Sequence, residues 1–129
     1  MYDPDCGLCR ATTGAVLSWD RRRRLRPVAL GTAEAERALA RMPEERRWDS
    51  WHLVDEQGRV SSAGAGFAPL LRRLPGGGPL AGLPERFPGA AERAYRLVAD
   101  NRSRIGPLIP AALKSRADRV IEHRSGGRS

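Results

Sequence analysis

Tyr2-Asp3-Pro4-Asp5-Cys6-Gly7-Leu8-Cys9-Arg10 is the stretch whose reading decides the fold, and it holds both cysteines of the chain. Two cysteines placed at random over this length would fall three apart on the order of one or two times in a hundred, so the spacing carries information. Pro4 and Gly7 punctuate a loop. From Cys9 onward, Thr12 and Thr13, Val16 and Leu17 recur at three to four residues and predict an amphipathic helix to about Asp20. Cys6 then stands near that helix's N-terminus, where free N–H groups and the macrodipole stabilise a thiolate. The thiolate is the species that attacks a disulfide. Two intervening residues bring the second sulfur close enough to resolve the mixed disulfide without backbone rearrangement. Cys6, the more exposed position, is therefore expected to be the nucleophile and Cys9 the resolving thiol. Gly7 removes side-chain bulk over the sulfurs, and Leu8 offers an apolar contact to a partner. Asp3 and Asp5 are expected to raise the thiol pKa, and Arg10 to lower it.

A C-x-x-C pair can also be half of a zinc site, or two inert buried thiols. The remaining zinc ligands would have to be His52 and His123, the chain's two histidines. One falls mid-strand and the other in the expected tail, which is poor geometry for a closed tetrahedral site. No metal and no cofactor is assigned. His52 is read as a satisfied strand histidine rather than a proton-transfer group. Trp19, Trp48 and Trp51 are read as core or rim, with Trp51 on the strand expected beside the cysteines.

Working outward, Met1–Tyr2 reads as the end of a strand, and Leu25–Leu30 alternates as a short strand despite Pro27. Thr32 is a suitable N-cap for a second helix with Ala35, Ala38, Leu39 and Met42 on one face, ended by Pro43. Trp51–Val54 and Arg59–Ala63 flank Asp55-Glu56-Gln57-Gly58, a hairpin turn. Phe67–Leu74 is a short helix. Pro75-Gly76-Gly77-Gly78-Pro79 is a linker signal, and Leu80–Leu83 leads into a loop. A helix follows from about Gly89 to Arg104 with Ala91, Ala94, Tyr95, Val98 and Ala99 on one face, then a last helix over Ala111–Glu122. This order predicts an α/β, thioredoxin-like fold: a mixed four-stranded sheet flanked by helices, with added C-terminal helices. The domain is placed at residues 1–106, and residues 107–129 form a partly disordered extension ending in Ser125–Ser129.

The 129 residues suffice for one domain with a real core. No apolar run reaches the roughly 18–20 residues of a membrane span. The N-terminus lacks a signal-peptide pattern, so the expected location is cytoplasmic. The net charge of +8 invites a nucleic-acid reading, but 22 of the 23 basic residues are arginines scattered among acids, Lys114 being the one lysine. The dense run Arg21–Arg24 has no interleaved aromatics for base stacking. No nucleic-acid partner is therefore expected; the expected partner is a protein or small-molecule disulfide or dithiol, met by a monomer.

Residues Tyr2–Arg10 resemble the Tyr-Asp-Gly-x-Cys-x-x-Cys opening of the DCC family of predicted thiol–disulfide oxidoreductases, whose Asp, Cys and Cys fall on Asp3, Cys6 and Cys9. Leu53–Val60 is similar to that family's hairpin, and Ala94–Arg102 to its C-terminal Tyr-x-x-Val/Ile-Ala-x-Asn-Arg helix. The resemblance spans roughly residues 1–106. It implies a thioredoxin-like fold and dithiol–disulfide exchange, and it leaves the substrate open. Pro4 stands where the family usually has Gly and stiffens the approach to the cysteines. The family also has apolar residues ahead of this motif, so the first strand is expected to be short or to begin upstream. Ser50 falls where a thioredoxin has its cis-proline, which argues against thioredoxin-style docking. Asp3 has two readings, fixing the loop by accepting backbone N–H bonds or handling a proton. The alternative to an enzyme is a thioredoxin-like binding module, its cysteines holding a metal or nothing, its arginine-rich surface recognising an acidic protein.

Overall fold

A computed structural model describes residues 1–126. The protein is mixed α/β but mostly helical. Its helices are α1 (Gly7–Trp19), α2 (Ala33–Ala38), α3 (Glu44–Arg47), α4 (Phe67–Arg72), α5 (Gly82–Arg86), α6 (Pro88–Asp100), α7 (Arg102–Ile105) and α8 (Ala111–Gly126). Its strands are β1 (His52–Val54) and β2 (Val60–Ser62), paired antiparallel with His52 opposite Ser62.

The four-stranded sheet is not what forms. Two strands do, and two shorter segments are tied to them. The Tyr2 N–H donates to the Val28 carbonyl at 3.1 Å and the Leu30 N–H to the Tyr2 carbonyl at 2.9 Å, a single parallel bridge between Tyr2 and Ala29. Met1 and His52 exchange backbone bonds of 2.6 and 3.2 Å, which places residues 1–2 between the 28–30 segment and β1. The ladder stops there for a local reason. Pro4 has no N–H to donate to the Leu30 carbonyl, and a turn begins there.

Local signals placed the caps and the hairpin. The Thr32 hydroxyl accepts the Ala35 N–H at the start of α2. In the hairpin turn, Asp55 Oδ1 accepts N–H bonds from Gln57 and Arg59, and Gly58 takes φ +80°. Several elements differ from expectation. The second helix stops at Ala38, and Pro43, expected as a terminator, instead caps the short α3. The stretch around Leu80–Leu83 is helical rather than a loop: a 3₁₀ turn at Pro79–Ala81 runs into α5. The expected Gly89–Arg104 helix divides into α6 and α7, because Asn101 leaves helical geometry and its amide caps the Leu97 carbonyl.

The C-terminal segment is the largest departure. Ser125 and Gly126 are helical rather than disordered; Gly127–Ser129 lie outside the described residues. Helix α8 packs along α1. Gly14 makes this possible, since a Cβ there would lie 2.4 Å from the Ala117 Cβ. Leu17, Ala117 and Ile121 are buried at the junction. Arg124 fastens the far end. Its guanidinium donates to the Leu17, Asp20 and Leu25 carbonyls and to Asp20 Oδ2, the last at 2.7 Å. Asp20 is almost wholly buried and also accepts the Arg24 and Leu25 N–H groups. The arginine run is thus a turn wound round a buried carboxylate, with Arg23 at φ +54°. A separate small core joins Leu30, Ala35 and Leu39 with Met1, Val28 and Met42.

Candidate active site

The chain turns sharply before α1. Asp3 Oδ1 accepts the Asp5 N–H at 2.9 Å, and the Cys6 N–H reaches the Asp3 carbonyl at 3.4 Å. Asp3 therefore fixes the loop, while Asp5 is exposed at its tip. Cys6 takes extended backbone angles (φ −102°, ψ 116°) as the residue capping α1, and its Sγ accepts the Cys9 N–H at 3.2 Å. A sulfur here occupies the position that a serine or aspartate oxygen holds in an ordinary helix cap.

Both cysteines are free and half-buried. The Cys9 thiol is pushed up to about 12, by burial first, then by its hydrogen bond to Cys6 and the charge of Cys6; Arg102 opposes this and Asp3 adds to it. Cys9 is thus held as a neutral thiol beneath Cys6. Arg10 points elsewhere: its Nη1 donates to the Pro4 carbonyl at 3.0 Å, and its Nε lies 3.1 Å from Asp118 Oδ1 on α8, an ion pair out of line for a hydrogen bond. The guanidinium acting on the dithiol is that of Arg102 on α7.

A cavity of about 410 Å³ opens between α1 and α6 above the sheet, its wall mostly apolar. Cys9, Asp3, Ser50, Trp51, Tyr95 and Arg102 all reach it; Asp5, Cys6, Gly7 and Arg10 do not. The face of Ala94, Tyr95, Val98 and Ala99 lines this space instead of closing a core. Trp51 stacks on Phe67 (centroids 6.1 Å, 17° between planes), and Phe67 meets Tyr95 edge-on at 6.1 Å. Gly66 leaves the room for that stack, because a Cβ there would come within 2.7 Å of the Trp51 ring. The Tyr95 hydroxyl is bonded by the Trp51 backbone N–H and the Ser50 side chain, and burial raises its pKa. Ser50 is buried, its hydroxyl donating to the Trp51 carbonyl at 3.1 Å. No cis peptide occurs among the described residues, and the Ser50 side chain bonds the Tyr95 hydroxyl.

Tyr95 and Arg102 are neighbours of Cys9 that the C-x-x-C motif did not identify. The available signal was the Tyr95–Arg102 segment, whose first and last residues open and close the helix motif that the family resemblance marks.

His52 is structural. Its Nε2–H donates to the Arg47 carbonyl at 2.9 Å and its Nδ1 accepts from the Ser62 hydroxyl at 2.5 Å, leaving neither nitrogen for a metal. Burial lowers its pKa. His123, expected in a loose tail, lies on α8 against Arg23. Among the described residues no three His, Cys, Asp or Glu side chains are grouped to hold a metal ion.

The sequence model of the DCC1-like thiol-disulfide oxidoreductases matches residues 1–107. The chain belongs to that family. No curated protein and no solved structure matches it. The DCC1-like span contains the dithiol, the sheet, the cavity and Arg102, and it ends before α8. No helix among the described residues is long and apolar enough to cross a membrane.

Proposed function

We propose that this DCC1-like protein is a protein-disulfide reductase of thioredoxin-like architecture, working by dithiol–disulfide exchange with Cys6 as nucleophile and Cys9 as resolver. The observation that carries this is the pairing of a sulfur at the α1 cap with a half-buried, neutral thiol one turn behind it. The Cys6 thiolate attacks one sulfur of a substrate disulfide. The substrate S–S bond breaks, and the first half leaves as a thiolate that takes a proton. Cys9 then attacks Cys6 Sγ and releases the second half. The protein dithiol loses two electrons and two protons, and the substrate gains them.

The order of steps follows from charge. After burial, what holds Cys9 protonated is Cys6 itself, through its hydrogen bond and its charge. Once Cys6 is tied up in a mixed disulfide, that repulsion is gone while Arg102 still favours the thiolate. Cys9 becomes easier to ionise at the moment its attack is needed. Asp3 and Asp5 shape the loop, Gly7 keeps it open, Arg10 braces it against Pro4 and Asp118, and Ser50 and Trp51 hold Tyr95 beside Cys9. The cavity offers apolar room for the substrate flanking its disulfide. The reading assigns no cofactor, no metal and no nucleic acid, and it places a monomer in the cytoplasm.

The test is reduction of insulin and of 2-hydroxyethyl disulfide by the reduced full chain, with Cys6→Ser and Cys9→Ser beside it. Cys6→Ser should abolish the reaction. Cys9→Ser should stop at a mixed disulfide on Cys6, visible as a mass increase of one substrate half. Equal rates in the wild-type chain and Cys6→Ser would overturn the proposal.

A further inference from the structure

Lys114 is the only lysine in the chain, and α8 delivers it to the dithiol loop. Gly7, between the two cysteines, is the point of contact. A Cβ on Gly7 would lie 3.3 Å from Lys114 Cε and 3.5 Å from its Nζ. The ammonium therefore rests over the Cys6-Gly7-Leu8-Cys9 turn, in space that any larger residue at position 7 would fill. The neighbouring Gly106 comes close to the Leu8 nitrogen, so the chain from α7 into α8 borders the same turn.

Lys114 and Arg102 form no ion pair among the described residues, whereas Arg10 is matched by Asp118. A lysine over the start of a helix also faces the positive end of the macrodipole, an unfavourable arrangement unless an anion joins it. Asp3 and Asp5 precede Cys6 on the loop; Asp3 is occupied with the Asp5 N–H, and Asp5 is exposed. Two half-exposed cations thus bracket the dithiol, one beside Gly7 and one beside Cys9.

We infer that Lys114 is a specificity residue, selecting disulfides that carry a carboxylate near the reacting sulfur. This rests on the dithiol–disulfide exchange proposed above. It assigns a part in the site to α8, which lies beyond the family-matched residues.

The test uses three small disulfides of similar size: 3,3′-dithiodipropionate (anionic), 2-hydroxyethyl disulfide (neutral) and cystamine (cationic). Each is mixed with the pre-reduced full chain under single-turnover conditions, and each rate is divided by that of dithiothreitol with the same disulfide. The wild-type chain should prefer the anionic over the neutral compound. Lys114→Met should lower that ratio about fivefold, the upper range for a half-exposed ion pair, and Lys114→Arg should restore it. Raising the salt concentration should narrow the wild-type preference. A ratio unaltered by Lys114→Met, or a preference for cystamine, overturns the inference while leaving the exchange reaction standing. If none of the three disulfides reacts faster than with Cys6→Ser, the exchange reading itself fails, and the inference with it.

Discussion

Cys9 should be one of the least reactive thiols that a reagent can still reach. Its pKa, pushed up to about 12, leaves about one thiolate in ten thousand molecules at pH 8. An unperturbed cysteine, with a pKa of about 8.5, is about one-quarter ionised at that pH. Alkylation proceeds through the thiolate, so Cys9 should label at least about a hundredfold more slowly than a cysteine in a short peptide. Iodoacetamide added to the reduced chain at pH 8 gives the measurement. Trypsin releases residues 1–10 as one peptide, since Arg10 is the first basic residue, and fragmentation assigns the label to Cys6 or Cys9. The first label should fall on Cys6 alone. In Cys6→Ser the hydrogen bond and charge from Cys6 disappear while burial remains. Cys9 should then label faster than in the wild-type chain, yet still more slowly than the peptide. Labelling of wild-type Cys9 within about tenfold of the peptide rate would refute the burial and coupling argument, and with it the assignment of a protonated resolver.

Three further outcomes follow from the packing. Gly14→Val should separate α8 from α1, since even a Cβ there overlaps Ala117, and cost about 1–3 kcal/mol in urea denaturation. Arg124→Met should cost about 3 kcal/mol by the same assay, the lower end for breaking a buried ion pair, because Asp20 keeps two backbone N–H donors. His52 has a lowered pKa in the folded chain, so the unfolded chain takes up its proton first as pH falls below about 6.5. Stability should therefore decline from pH 6.5 downward, and His52→Asn, though less stable, should lose that part of the slope.

What was legible in the sequence is what short-range chemistry decides. The C-x-x-C spacing, the helix after it, the Thr32 cap and the Asp55–Gly58 turn each depend on residues within about four positions of one another. The docking of α8 does not: Asp20 and Arg124 are 104 residues apart, and neither betrays the other. The arginine run reads as a polar turn, and nothing in it announces that its backbone wraps Asp20. The helix over residues 89–104 has an apolar face, and in the fold that face lines a cavity. Periodicity reports that a side is apolar and says nothing of what covers it. Fewer strands form than the alternation at 25–30 implies, because alternation reports β-propensity and not the length of the segment opposite, which ends at Pro4, a residue with no N–H to donate.

The two halves of the chain contribute different things to the dithiol. The loop and α1 supply the sulfurs and hold them one turn apart. Beyond Asp3, the side chains around them arrive from far along the chain: Ser50 and Trp51 fix Tyr95, α7 brings Arg102, and α8 brings Lys114 and ties up Arg10 through Asp118. A motif match reports the first contribution and not the second. Exchange chemistry needs only the sulfurs, but the difference between one disulfide substrate and another lies in the charges and apolar surface around them. Substrate choice in this protein should therefore respond to changes on α7 and α8 more than to changes at Gly7 or Leu8, which can alter access to the sulfurs but carry no charge to a partner.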